Sequence, residues 1–298
     1  THMTIFLSIL IQGLIYSLMA LGVYITYSIL DFPDLSVDST FPFGAAVTAA
    51  AIIAGVPAWL TLPLAFLAGA LAGTVTGLIH VKLKVRDLLS GIIVMTGLYS
   101  INLIVAGNKA NLPIYSQETI FENEMTSALS NRTFDITVAA ILLVIVLIVK
   151  LLLDLYLKTR SGLLLRAAGD NETLVTALAK DKGTVKIIGL ALANGLAALA
   201  GCVFCQQQGF FEISVGTGTI VTGLASVIIG TKLFAKLGFL RTTTAVILGS
   251  ILYKACTSLA MNVAQNFGIN TSNNKFVIAA MFLIILVLSD RSARKKVR

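Results

Sequence analysis

Histidine and cysteine are scarce in this chain: His2, His80, Cys202, Cys205 and Cys256 in 298 residues. Cys202 and Cys205 stand three apart, so in a helix they share one face. A zinc site needs about four donors, and a distant His80 does not complete the set. Three cysteines are too few for a disulfide framework, and all lie in apolar runs, where a thiol packs as a small hydrophobe. No Ser-His-Asp set can be assembled, and the sequence holds no GxxxxGK[ST] phosphate loop. The residues therefore argue against an enzyme and call for no cofactor or metal in this chain.

What remains is a set of polar residues inside long apolar stretches: Asp34, Ser36, Asp38, Thr96, Asn102, Asn194, Gln206, Gln207, Glu212 and Lys254. Polar groups at membrane depth are costly, and a water-filled pathway is a common reason for them. Asp34 and Asp38 either meet a solute amino group or cap the second helix, with capping favoured for Asp38. Thr96, Asn102 and Asn194 line a pathway or, the favoured reading, bond between helices. Gln206, Gln207 and Glu212 are expected near the outer mouth. Lys254 pairs with a carboxylate such as Glu212, or snorkels.

The elements that must position these residues follow from composition. Hydrophobic residues make up 57% and charged residues 12%, about half the charge of a soluble domain. Mean hydropathy is +0.92. The length accommodates about eight to ten membrane-crossing helices. The expected fold is all-α, a polytopic integral membrane protein with one transmembrane domain over residues 4–298. Residues 1–3 read as a cloning remnant, and the apolar run after them as a retained helix.

A first helix over about 4–30 ends in the turn residues Asp31-Phe32-Pro33-Asp34. A polar stretch then precedes a short apolar run, 41–56, with Pro42 just inside it and Ser39 or Thr40 as its cap. That describes a broken second helix with a polar entrance at membrane depth, tolerated only where it lines a cavity or is buried in protein. Gly69, Gly73 and Gly77 lie on one face of a helix over 58–79, for close packing within the chain or for a subunit interface. Further helices are expected over 88–106, 136–156, 187–205, 217–230, 242–264 and 275–289. Lys150 and Asp154, four apart, form an anchoring pair.

The net charge is +8. Most of the 22 basic residues fall in four segments that alternate helices bring to one side: Lys82 to Arg86, loop 158–186, Lys232 to Arg241, and the tail. The positive-inside rule puts that side, with the C-terminus, in the cytoplasm. The N-terminus and the acidic segment 107–135 face outside. The basic balance thus reports orientation and not nucleic acid. Within loop 158–186, Asp170 or Asn171 can cap a short helix, Glu172 suits its positive end, and Gly183 can stop it. Thr173 and Ala177 lie within it, and Leu174 and Leu178 form an apolar stripe. Such a helix docks into a partner's groove or lies on the lipid surface.

Three stretches resemble one family. Asp34-Leu35-Ser36-Val37 with Phe43-Gly44-Ala45-Ala46, the segment Gly162 to Gly183, and Thr222-Gly223-Leu224-Ala225-Ser226-Val227-Ile228-Ile229-Gly230 resemble motifs of bacterial ABC importer permeases. The family is the branched-chain amino acid and simple-sugar permease superfamily. The run from Ile29 to Pro42 looks closest to a subgroup linked to tryptophan- or tyrosine-type uptake, while Asp38 and Pro42 depart from the sugar permeases. The resemblance implies a type II importer-like fold in a bacterial cytoplasmic membrane. It implies a permease homodimer, ABC ATPase subunits docked on the helices around 170–182, and an extracytoplasmic solute-binding protein. ATP and Mg²⁺ would belong to the ATPase. The solute is expected to be an amino acid. A sugar or nucleoside permease, a stand-alone secondary transporter, and a channel or scaffold subunit are the rival readings.

Overall fold

A computed structural model describes residues 2–123, 126, 131–170, 182–234, 240–266 and 274–294. Its elements are α1 (His2–Val23), a π-helical stretch (Tyr24–Ile29), α2 (Val37–Ile53), a short 3₁₀ turn, α3 (Thr61–Lys82) and α4 (Asp87–Val105). There follow β1 (Asn111–Pro113), α5 (Asn131–Tyr156), α6 (Arg160–Asp170) and α7 (Lys182–Gln208). The chain continues through β2 (Phe210–Glu212), a 3₁₀ turn (Ile213–Gly216), α8 (Thr219–Leu233), α9 (Thr242–Asn266) and α10 (Asn274–Arg294). Among the described residues, 7 helices are long and apolar enough to cross a membrane, and Val37–Ile53 and Lys275–Val287 are shorter apolar helices.

The helix α1 is the hub. It contacts α5, α7, α8 and α9, and Leu14, Ile15, Leu18, Met19 and Leu21 are buried. From Gly13 to Val23 it is buried and almost wholly apolar, which suits a helix enclosed by others. The outer helices invert the usual pattern. Leu67, Leu71, Ile104, Leu152 and Leu155 are exposed, as expected where the solvent is hydrocarbon.

The stripe Gly69, Gly73 and Gly77 decides how α3 meets α7. A Cβ on Gly73 would collide with the Leu190 carbonyl, one on Gly69 with that of Asn194, and one on Gly77 would lie 2.9 Å from the Ile187 Cα. The small residues serve packing within the chain. The helix α2 approaches α7 as closely, with Gly44 against the Ala198 carbonyl and Gly201 against that of Phe41.

Several expected boundaries move. The second helix begins at Val37, so Pro42 stands in its interior. Neither Ser39 nor Thr40 caps it: their hydroxyls bond Met95 O and the Ser36–Asn194 pair instead. The head of loop 158–186 is helical, as α6, and α7 starts at Lys182. The apolar content of Leu163 to Ala168 supplies a buried face there, with Leu165 and Ala168 enclosed. The docking residues Asn171, Glu172, Thr173, Leu174, Ala177 and Leu178 lie outside the described residues. Segment 107–135 contains β1, which pairs antiparallel with β2 in the register Asn111↔Glu212, Leu112↔Phe211, Pro113↔Phe210. The helix expected to end near Cys205 runs on through the three glutamines: α7 ends at Gln208, and Gly209 takes φ +77°, a conformation that costs glycine least.

Candidate functional site

Between α1 and α2 the backbone leaves the helix. The π stretch closes with Leu30 N donating to Ile25 O and Phe32 N to Thr26 O, at 3.0 and 2.8 Å. Asp31 adopts φ +51°, and a stretch without regular secondary structure carries the chain to Asp34. The carboxylate of Asp34 is 2% exposed. Its Oδ1 accepts from Ser36 N at 2.9 Å, a local turn that opens the helix. Its Oδ2 accepts from Asn194 Nδ2 at 2.7 Å. The other end of that carboxamide, Asn194 Oδ1, accepts from Ser36 Oγ at 3.0 Å and lies 2.7 Å from Thr40 Oγ1. Asp34, Ser36 and Asn194 thus form one network, completed by Thr40, which the sequence offered only as a helix cap. A bare Gly91 on α4 leaves room for it, since a Cβ there would stand 3.1 Å from Asp34 Oδ1.

Asp38 is a cap, but not of its own helix. Its Oδ2 accepts from Gly218 N at 2.9 Å, and its Oδ1 from Ile220 N at 2.8 Å and Thr219 Oγ1 at 3.1 Å. It closes the N-terminus of α8, whose first amides have no helical partner and whose dipole favours a negative charge. Gly218, at φ +84°, presents its amide to that carboxylate.

Asn102 of α4 donates to Ser39 O at 3.0 Å, and its Oδ1 is buried without a partner among the described residues. Thr96 lies on an exposed face of α4 and bonds Ile92 O in its own helix. Gln206 pins the segment before α5: its Oε1 accepts from Ile120 N at 2.9 Å, and its Nε2 donates to Thr61 Oγ1 at 2.9 Å. Gln207 accepts from the side chain of Gln208, and Glu212 from that of Ser214.

Two charged positions complete the inventory. Lys150 and Asp154 form the expected pair at 2.9 Å. Arg241 joins Asp154 at 3.0 Å, and Thr243 Oγ1 donates to the same carboxylate at 2.7 Å, so the pair also ties α5 to the head of α9. Lys254 does not pair with Glu212. Its ammonium stands 3.5 Å from the centroid of the Tyr16 ring, because α9 turns this residue toward α1 while Glu212 stays on the β-ribbon.

The interruption thus lies before α2 and is braced by Asn194, 160 positions away. The family model described as "Branched-chain amino acid transport system / permease component" matches residues 5–286. The chain belongs to this family. The permease is 41% identical over 284 residues to a tyrosine transport system permease protein of Clostridioides difficile, covering 95% of this chain and 91% of that protein. It is 26% identical to a probable branched-chain amino acid transport permease of Methanocaldococcus jannaschii, over 94% of this chain and 89% of the other. It is 24% identical to a ribose import permease of Haemophilus influenzae, over 95% and 84%. The permease is therefore a multi-pass membrane subunit of a transport system, and its relatives are transporter subunits, not enzymes.

Proposed function

We propose that this permease is the membrane subunit of an ATP-driven importer of amino acids, of the tyrosine, tryptophan or branched-chain type. The observation that carries the reading is the 41% identity to a tyrosine permease across 95% of the chain. In this reading two copies enclose the pathway in a bacterial cytoplasmic membrane, with the basic side and the C-terminus inside. An extracytoplasmic binding protein delivers the solute, and separate ATPase subunits, holding ATP and Mg²⁺, dock at the segment after α6.

Packing at that face supports a route for the stroke. Gly169, near the end of α6, sits directly on the Ile29 carbonyl at the end of the π stretch. Leu165 of α6 and Leu30 both press on Gly189 of α7, where a Cβ would stand 2.7 and 2.6 Å from their methyl carbons. A displacement of α6 is therefore delivered to the residues that lead into Asp34. The π geometry is weaker than α-helix and is a common site of adjustment. The pathway borders the start of α2, near Asp34, Ser36, Asp38, Thr96, Asn102 and Asn194, with Gln206, Gln207 and Glu212 toward the outer mouth. In that setting the polar network holds the second helix in one of its two positions.

The test is reconstitution. The permease is co-expressed with candidate ABC ATPase and solute-binding proteins from the same genome and placed in liposomes. Uptake of labelled L-tyrosine, L-tryptophan or L-leucine that requires internal ATP is the expected result. Uptake that runs on an ion gradient without ATP, or that takes ribose but none of these amino acids, would sink the proposal.

A further inference from the structure

Lys254 occupies the midpoint of α9 (Thr242–Asn266). At 1.5 Å per residue it lies about 18 Å from either helix end, near the centre of the hydrocarbon. No carboxylate among the described residues is within ion-pair distance of it. A cation at such depth needs a counter-charge or water. The face of Tyr16 supplies partial compensation through its quadrupole. That ring is itself fixed, stacked on Phe41 at 5.7 Å and edge-on to Phe204 at 6.4 Å.

Lys254 also lines a cavity of about 260 Å³, with Ser8, Gln12, Thr222, Thr257 and Asn262 in its wall. The cavity shares Ser8, Ser258 and Asn262 with a neighbouring hollow of about 340 Å³ that reaches Thr4. Hydroxyls and carboxamides thus line a course from the start of α1 down to Lys254. Gln12 and Asn262 make no side-chain hydrogen bond to another described residue, so both amides are available to a guest. Thr222 stands one turn into α8, the helix whose N-terminus Asp38 caps. The cavity therefore touches the same helix as the start of α2.

We propose that Lys254 is the binding site for the carboxylate of the transported amino acid. The Tyr16 face holds the ammonium in place between solutes. This rests on the amino-acid reading above. A lipid phosphate is the other anion a membrane offers, but headgroups lie at the interface and not at this depth.

The test uses the purified permease–ATPase complex without binding protein, with L-tyrosine and tyramine as probes. Tyramine keeps the amine and the ring and lacks the carboxylate. Wild type and Lys254→Arg are expected to gain thermal stability from millimolar L-tyrosine but not from tyramine, and Lys254→Met to gain none from either. Lys254→Met without ligand is expected to be as stable as wild type, because an unpaired charge has been removed; Lys254→Gln serves as the second neutral variant. In proteoliposomes with the binding protein, uptake by the neutral variants should fall about ten- to a hundred-fold, the worth of one charged hydrogen bond. A neutral variant that responds to L-tyrosine as wild type does, or a wild type that responds equally to tyramine, overturns the assignment alone. A wild-type complex that imports no amino acid overturns the amino-acid reading and this assignment together.

Discussion

Replacing Asp38 by alanine removes two backbone hydrogen bonds at once, those from Gly218 N and Ile220 N, while the Thr219 hydroxyl keeps Gly216 O as an acceptor at 2.9 Å. The two backbone amides have no substitute, because the first N–H groups of a helix find no carbonyl within it. Losing a cap costs about 0.5–2 kcal/mol, and each amide left buried without a partner adds about 1–3 kcal/mol. Some relaxation of α8 recovers part of this, so a net loss of about 3 kcal/mol is expected. For a chain of this size that is roughly 5–10 °C in midpoint. Asp38→Asn keeps one side-chain oxygen as acceptor and should lose about 1 kcal/mol. The assay is thermal unfolding in detergent, followed by uptake normalised to folded complex. The expected pattern is a graded loss of stability, Ala beyond Asn, with uptake per folded complex close to wild type in Asp38→Asn. A stable Asp38→Ala protein would refute the capping argument. A stable but transport-dead Asp38→Asn protein would instead place this carboxylate against the solute.

Other expectations are open to the same assays. Asn194→Ala strips Asp34 of its 2.7 Å donor and Ser36 of its acceptor; a loss of about 2–4 kcal/mol is expected, and a double-mutant cycle with Asp34→Asn should show coupling near 1 kcal/mol or above. Gly73→Ile drives a side chain into the Leu190 carbonyl and should abolish accumulation of folded protein in the membrane. Asp154→Ala leaves Lys150, whose side chain is 14% exposed, without its partner, and a loss of about 1–3 kcal/mol should appear as a lower unfolding midpoint. Arg241→Ala should cost under about 1 kcal/mol, since its side chain is 56% exposed and solvent screens the pair. Leu174→Glu should reduce co-purification of the ATPase, and undiminished assembly would remove the docking role from that segment.

Local and periodic features were legible in the sequence. The apolar runs, the interruption before α2, the glycine stripe of α3 and the Lys150–Asp154 pair all follow from spacing along one or two turns. The misses share a different cause. Asp38 has the signature of a cap, but its acceptor geometry is spent on a helix 180 residues later, which no local pattern encodes. Arg160–Asp170 read as loop because its basic residues disguised a short amphipathic helix. The ribbon of β1 and β2 has three residues per strand, too few for alternation to register. For Lys254 the sequence suggests a carboxylate such as Glu212 or snorkelling, whereas the partner it meets is the uncharged ring of Tyr16.

The in-trans cap also bears on how the protein is made. When the second helix leaves the ribosome, Gly218 and Ile220 have not been synthesised, and neither has Asn194. At about 5–20 residues per second, roughly 10–40 s pass before Asp38 can meet the amides it serves. In that interval a 17-residue helix carries a carboxylate with nothing to satisfy it in the bilayer. Its final insertion is thereby expected to wait for the second half of the chain. Crosslinking of Phe41 to the insertion machinery should persist in nascent chains stalled before α8 and vanish in longer ones. Release already at the length of α3 would show that the helix settles without its distant partners.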